Sequence, residues 1–246
     1  MTHSPPASGA VIVAPTPTVD QLRELVAKAC RILYQQGLSD YLGHPSARIP
    51  GTDLVVIKPK HSPRVRGMDT MRPEHMVIID LEGNLVEGEE IPPTERFIHT
   101  EIYRARPDVA SVVHTHQPQA TLAGVIELPI LPVLHVAAPL LEQPVPLWPV
   151  AELVVDSRLG AELATALGQA SLCHLQGHGI VSVAGSVEEA TLGAIHLEQL
   201  AEVCVKAAQT GRSPRVIPTD QIANLRKRLA SPAGRWAYYA ELAGAL

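Results

Sequence analysis

Two hydrophobic periods alternate along the chain, one typical of helices and one typical of strands. Between residues 18 and 37, apolar side chains recur at the spacing of one helical face, and Thr18 and Gln21 match a capping box at its start. Gly37 ends this first predicted helix. Further helices are predicted at 94–105, 118–124, 159–168 and 187–211, with one or two more in the tail at 219–246.

Short runs rich in Val, Ile and Leu lie between the predicted helices and indicate strands. The runs 76–80 and 85–86 flank a Glu82-Gly83-Asn84 turn, which predicts a hairpin. Within a proline-rich apolar segment, the run 131–136 predicts a further strand. The other predicted strands are at 46–49, 54–57, 110–115, 172–175 and 180–183.

The sequence shows neither an internal repeat nor a linker, which predicts one domain of mixed α and β structure over residues 18–246, helical tail included. Residues 1–17 carry Ser-Pro-Pro and Pro-Thr-Pro and predict a flexible N-terminal arm. The 246 residues are 46% hydrophobic and 18% charged, which is typical of a folded, soluble protein.

Charge and cysteine content exclude several functional classes. A net charge of -5 argues against a nucleic-acid or anionic-membrane partner, and no apolar run is long enough to span a bilayer. The three cysteines form no CxxC pair, so we expect buried thiols in a reducing compartment, the cytoplasm. The sequence has neither a P-loop nor a GxGxxG motif, so nothing supports nucleotide binding.

The candidate chemistry centres on His114, near the end of the predicted strand 110–115, and His116, directly after it. Residues two apart on a strand share a face, so both imidazoles could bind one metal ion. Two ordinary, half-exposed strand histidines are the alternative. A third histidine, His178, lies between two glycines that permit a sharp turn, and the three together form a plausible metal site with an open position.

Two further segments carry candidate functional residues. Glu95 lies in the first turn of a predicted helix, where the helix dipole stabilises a carboxylate, and His99 follows one turn later as an expected structural histidine. Residues 58–66 form a basic loop that contains Lys58, Lys60 and Arg64. Such a loop is either a solvated charged segment or a lid that binds a carboxylate or phosphate.

Four motifs in this order and spacing resemble the class II aldolase/adducin superfamily, and the resemblance covers about residues 18–211. The motifs are Pro93-Thr94-Glu95, Arg106-Pro107-Asp108, His114-Thr115-His116 and Gly177-His178-Gly179. The resemblance implies a three-layer α-β-α fold (α/β class) around a mainly antiparallel sheet, commonly assembled as a homotetramer. It also implies that His114, His116 and His178 bind one divalent metal ion per subunit (Zn, Mn, Fe or Co) and that Glu95 is the acid/base.

Departures from the sugar-phosphate aldolase pattern change the expected substrate. The family's phosphate-binding loops are replaced here by Gly43-His44-Pro45-Ser46, Lys58-Pro59-Lys60-His61 and Pro93-Thr94. The replacements resemble a branch that decarboxylates hydroxylated aromatic or pyridine dicarboxylates and ring-cleavage products. By this resemblance, the substrate-binding residues are His44, Ser46, Lys58, Lys60, Arg64 and Thr94.

The leading hypothesis is therefore a metal-dependent lyase that decarboxylates a small, anionic, hydroxylated aromatic or ring-cleavage-derived carboxylate through a metal-stabilised enolate. Three alternatives stay open. The first is an aldolase or epimerase for a small hydroxy-carbonyl or sugar-phosphate compound. The second is an iron-dependent oxygenase on the same scaffold. The third is a non-catalytic binding scaffold, which the complete set of three histidines disfavours.

Overall fold

A single eight-stranded sheet organises the molecule, for which a computed structural model describes residues 16–244. The strands are β1 (His44–Arg48), β2 (Leu54–Ile57), β3 (Val77–Asp80), β4 (Leu85–Glu87), β5 (Ser111–Thr115), β6 (Leu147–Trp148), β7 (Leu172–Leu175) and β8 (Gly179–Ala184). They lie in the order β4-β3-β2-β1-β5-β8-β7-β6. Every neighbouring pair is antiparallel except β6 and β7. The strand β5 is therefore central.

Helices cover both faces of this sheet. They are α1 (Val19–Gln35), α2 (Phe97–Ala105), α3 (Pro118–Val125), α4 (Ser157–Leu167), α5 (Val187–Gln209), α6 (Thr219–Arg228) and α7 (Ala233–Gly244). The helices α1, α3, α5 and α7 contribute to one hydrophobic cluster, and α2 and α4 contribute to the other. Adjacent residues of β5 divide between them, since Val113 belongs to the first cluster and Val112 to the second. The predicted three-layer α-β-α fold is confirmed.

Local sequence signals set the helix ends. Thr18 and Gln21 form the predicted capping box at the start of α1. The side chains of Asp156 and Ser186 accept backbone N–H groups at the starts of α4 and α5. None of the described helices is long and apolar enough to cross a membrane.

Two element predictions were wrong. Residues 131–136 form a loop and turn rather than a strand. Pro132 has no N–H to donate to a neighbouring strand, and the carbonyl groups of Leu131 and Leu134 accept hydrogen bonds from backbone N–H groups two to four residues later in the chain. The short strand β6, which pairs with β7, was not predicted. The second helix begins at Phe97, so residues 94–96 form a turn ahead of it. The predicted arm at 1–17 lies outside the described residues except for its last two.

Candidate metal centre

The strand β5 brings two histidines to the face of the sheet that α2 covers. His114 is fully buried in β5, and His116 follows the last strand residue on the same side. Their Nε2 atoms lie 2.9 Å apart and therefore point to one place. The Nδ1 atom of His114 donates to the Ile180 carbonyl oxygen at 2.9 Å, which leaves Nε2 of His114 with a free lone pair.

A tight turn between β7 and β8 adds the third histidine. Gly177 has a φ of 62°, which favours glycine. A Cβ atom at Gly179 would lie 2.2 Å from the Thr115 carbonyl oxygen, so only glycine allows this close approach to β5. As a result, the ring centroid of His178 lies 4.8 Å from that of His114 and 5.0 Å from that of His116.

Glu95 closes the group from the turn ahead of α2. Its Oε1 atom accepts the Val154 N–H at 2.9 Å, and its Oε2 atom lies 3.4 Å from Nε2 of His178. Burial raises the pKa of the Glu95 carboxyl, but the contact with His178 and the Val154 N–H outweigh burial and lower that pKa below its usual value. Glu95 is therefore ionised at neutral pH.

We refer to Glu95, His114, His116 and His178 as the ligand cluster, because one potential ligand atom from each lies within 4.8 Å of the others. The Nε2 atom of His178 is buried and makes no hydrogen bond within the described residues, as expected for an atom that binds an ion. Burial and the neighbouring histidines hold the pKa of His114 well below its usual value, which keeps the imidazole neutral. Three imidazoles and a carboxylate suit a divalent ion such as Zn, Mn, Fe or Co.

A cleft opens beside the ligand cluster and is lined by four of the predicted substrate-binding residues: His44, Lys58, Lys60 and Thr94. Tyr41 also lines the cleft, and its backbone carbonyl accepts a 3.0 Å hydrogen bond from the Lys58 ammonium. Lys58 is only 2% exposed, and burial lowers its pKa from the usual 10.5. The cleft therefore joins a buried cation to the predicted metal ligands.

The structure places the other two predicted substrate-binding residues outside this lining. Ser46 is fully buried, and its hydroxyl lies 2.6 Å from Nδ1 of His99. Arg64 is exposed and forms ion pairs with Glu89 at 2.6 Å and Glu90 at 3.5 Å. Their proposed contacts with substrate stay predictions.

Two residues near the site were not predicted from the sequence. His99, expected to be structural only, contacts the cleft residue His44 at 2.7 Å. The carboxylate of Glu198 on α5 accepts the backbone N–H groups of Gln119 at 2.8 Å and Ala120 at 2.9 Å, at the start of the helix that follows His116. A glutamate inside an amphipathic helix gives no sign in the sequence of such a distant partner.

Comparison with known proteins agrees with this architecture. An Arthrobacter keyseri protein named 3,4-dihydroxyphthalate decarboxylase is 36% identical over 213 residues, covering 82% of this chain and 85% of that protein. A Bacillus thuringiensis protein named 5-deoxy-D-ribulose 1-phosphate aldolase is 30% identical, covering 64% and 72%. The L-fuculose 1-phosphate aldolase structure from Glaciozyma antarctica has a TM-score of 0.76 at 22% identity, covering 97% and 93%, and is similar in fold.

The family model described as "Class II Aldolase and Adducin N-terminal domain" matches residues 24–205, which is most of the chain. That span contains all four members of the ligand cluster and the whole lining of the cleft. The chain belongs to the class II aldolase and adducin family, as its motifs predicted.

Proposed function

We propose that this protein is a divalent-metal-dependent carbon–carbon lyase that decarboxylates a hydroxylated aromatic or ring-cleavage-derived carboxylate. The observation that carries the proposal is the ligand cluster opening onto a cleft that contains the buried cation Lys58. Three similar proteins named 3,4-dihydroxyphthalate decarboxylase, at 33–36% identity, support this substrate class. A dihydroxyphthalate is therefore the first substrate to test.

His114, His116 and His178 would hold the metal ion, with Glu95 beside it. A bound dication would act as a Lewis acid on a substrate hydroxyl or oxo group and stabilise negative charge that develops as CO2 leaves. The four side chains supply a fixed frame for it. His114 is oriented by Ile180, and Glu95 is oriented by Val154.

Glu95 has the position and charge needed to move a proton. In our proposal, its ionised Oε2 atom accepts a proton from the substrate hydroxyl and returns it to the ring carbon that bore the carboxylate. The carbon–carboxylate bond breaks, a carbon–hydrogen bond forms, and CO2 leaves. The net reaction consumes one proton, which solvent supplies to the substrate oxygen.

The cleft residues would hold the carboxylate that stays on the substrate. Lys58 donates one hydrogen bond to a backbone carbonyl, so its ammonium keeps donors for an anion. Lys60 and Thr94 are more exposed at the cleft edge and would contact the same anion. Phosphate is a poorer match, because the loops that bind it in sugar-phosphate aldolases are changed here.

Assembly and location also belong to this proposal. Leu122 on α3 and Ile126 directly after its end are 39% and 54% exposed, and Leu153 beside the Glu95 partner Val154 is 59% exposed. We propose that these apolar residues lie in the interfaces of a homotetramer, which light scattering with a Leu122→Glu/Ile126→Glu variant would test. The three buried, free cysteines support a reducing cytoplasmic compartment.

The decisive experiment measures CO2 release from 3,4-dihydroxyphthalate and related acids with protein loaded with Zn2+, Mn2+, Fe2+ or Co2+. We expect metal-dependent turnover that a chelator removes and that Glu95→Gln suppresses. No turnover of any dihydroxyphthalate with any of these ions would contradict the proposal.

Aldol cleavage is the second candidate, supported by the similar Bacillus thuringiensis protein named 5-deoxy-D-ribulose 1-phosphate aldolase. The same ligand cluster could stabilise the carbanion that such a cleavage leaves. Dihydroxyacetone phosphate released from sugar phosphates, without CO2 from dihydroxyphthalates, would favour this function instead.

A further inference from the structure

A chain of hydrogen bonds runs from the cleft into the core between the sheet and α2. His44 on β1 borders the cleft, and its Nδ1 atom lies 2.7 Å from Nε2 of His99 on α2. The Nδ1 atom of His99 lies 2.6 Å from the Ser46 hydroxyl, which lies 2.7 Å from the Tyr103 hydroxyl. His99, Ser46 and Tyr103 are at most 1% exposed, so water does not compete for these bonds.

The hydrogens in this chain can be assigned by counting donors. Among the described residues the Ser46 oxygen is the hydrogen-bond partner of the Tyr103 hydroxyl, so this hydroxyl donates its hydrogen to that oxygen. The Ser46 hydroxyl can donate to Nδ1 of His99 at 2.6 Å or to the Val112 carbonyl at 3.4 Å, and the first is much the better bond. Nδ1 of His99 is then an acceptor.

The tautomer of His99 determines that of His44. Burial lowers the pKa of His99 to about 3, so its ring is neutral and carries one N–H. With Nδ1 accepting from Ser46, that hydrogen is on Nε2 and is donated to Nδ1 of His44. The ring hydrogen of a neutral His44 then lies on Nε2, an atom that makes no hydrogen bond to any residue between 16 and 244.

We propose that His99 is a positioning residue: with Ser46 and Tyr103 behind it, it fixes the tautomer of His44 so that the Nε2–H is presented to an anionic oxygen of the substrate. This inference rests on the proposed function for the identity of that oxygen. With its hydrogen on Nε2, His44 donates a hydrogen bond at the cleft. It therefore favours a substrate with a carboxylate or phenolate oxygen at this position over one with a hydrogen-bond donor there. The inference also gives Ser46 an indirect role in substrate binding.

The first test observes the tautomer without any turnover. Solid-state NMR of zinc-loaded, full-length protein with 15N-labelled histidine distinguishes protonated from bare ring nitrogens, and a His44→Gln variant assigns the His44 signals. We expect the Nε2–H form of His44 in the unaltered protein and a mixture of both forms in His99→Leu and Ser46→Ala. His135→Gln, on an exposed loop, is the matched control.

A conservative variant separates positioning from simple packing. In His99→Gln, the amide nitrogen can donate to His44 while the amide oxygen accepts from Ser46, so the tautomer should return to the Nε2–H form. If His99→Leu fails to fold, Ser46→Ala breaks the same chain with a smaller change in volume. The inference would be overturned by a Nδ1–H form of His44 in the unaltered protein. It would also be overturned if both His99→Leu and Ser46→Ala left the His44 tautomer unchanged.

Kinetics give the functional readout. We expect His99→Leu to raise KM for a dihydroxyphthalate by about 10-fold, with a smaller change in kcat, because a hydrogen bond to a charged group is lost. His99→Gln should recover most of that loss. Equal KM values in His99→Leu and the unaltered protein would count against the inference. If no dihydroxyphthalate is turned over at all, the proposed function fails while the NMR result still decides the tautomer.

Discussion

The ligand cluster and the first residues of the basic loop at residues 58–66 border one cleft, but the chain builds them differently. His114 belongs to a central strand that is paired on both sides, and His116 directly follows that strand. Short turns ahead of α2 and between β7 and β8 carry Glu95 and His178. The basic loop forms neither helix nor strand; Lys58 is buried at one end and Arg64 is exposed. The ligands of one ion thus come from a central strand and from short turns beside regular elements, whereas Lys58 and Lys60, which would bind the substrate, begin a longer irregular segment.

The largest expected effect comes from breaking the cluster itself. His178→Ala removes a ligand whose Nε2 atom is buried and unpaired among the described residues, and we expect metal affinity to fall by more than about 100-fold, since changes outside the ligand shell alone cost about 10- to 100-fold. Metal content by mass spectrometry checks this. His135→Gln should keep its metal, and full metal occupancy in His178→Ala would contradict the assignment.

Glu95→Gln should separate metal binding from proton transfer. The three imidazoles remain, so we expect metal content to persist while kcat falls by about 100- to 10,000-fold. Parallel metal analysis and CO2 assays measure the two quantities. A variant that loses metal and activity together would instead make Glu95 mainly a ligand.

Glu198→Ala should loosen the cluster from a distance. Its carboxylate holds the first turn of α3, directly after His116, and we expect metal affinity to fall by about 10-fold, as for other outer-shell changes. Glu202→Ala, four residues later on the same helix and ion-paired with Lys206 at its surface, is the control. If Glu198→Ala and Glu202→Ala have equal metal affinity in a competition titration, the metal site does not depend on the contact between Glu198 and α3.

The basic loop provides a matched pair of substitutions, one at a buried residue and one at an exposed residue. Lys58→Met should raise KM by about 10- to 100-fold because a buried, charged donor is lost. Arg64→Met should change KM less than about twofold, because an exposed arginine paired with two glutamates contributes little. Steady-state kinetics at one salt concentration compare them, and a larger effect of Arg64→Met would mean that the loop closes differently over substrate.

The smallest expected effect is a shift in the pH dependence of KM. Lysine is charged below its pKa, and burial lowers the pKa of Lys58, so substrate binding should weaken at a lower pH than 10.5, the usual lysine value. Lys58→Arg should move that loss of binding upward, since guanidinium stays charged. The measurement is KM against pH for both proteins. If KM rises over the same alkaline pH range in both proteins, a group other than residue 58 causes the loss of binding.

Regular elements were predictable from the sequence because their signals are local. The capping box of α1 and the β-branched run of β5 both specify structure within a few residues, and both are confirmed. The alternation of side chains along a strand predicted that His114 and His116 share a face. The family prediction, made from four spaced motifs, is confirmed by the match over residues 24–205.

What the sequence could not provide depends on distant partners. The segment 131–136 has the composition of a strand, but it is not part of the sheet, and the unpredicted strand at residues 147–148 pairs with β7. His99 meets His44 only after α2 packs on the sheet, so a lone histidine in a helix gave no sign of that contact. The charge of Arg64 was evident, but the two glutamates that neutralise it lie 25 and 26 residues away.

The central position of β5 also determines what survives when the ion is removed. Its amides are bonded to β1 and β8, and helices cover both faces, so this strand should exchange its hydrogens only in large opening events. Removal of the ion by a chelator would thus leave His114 and His116 in position for rebinding. Reloading the ion would therefore require no refolding of β5.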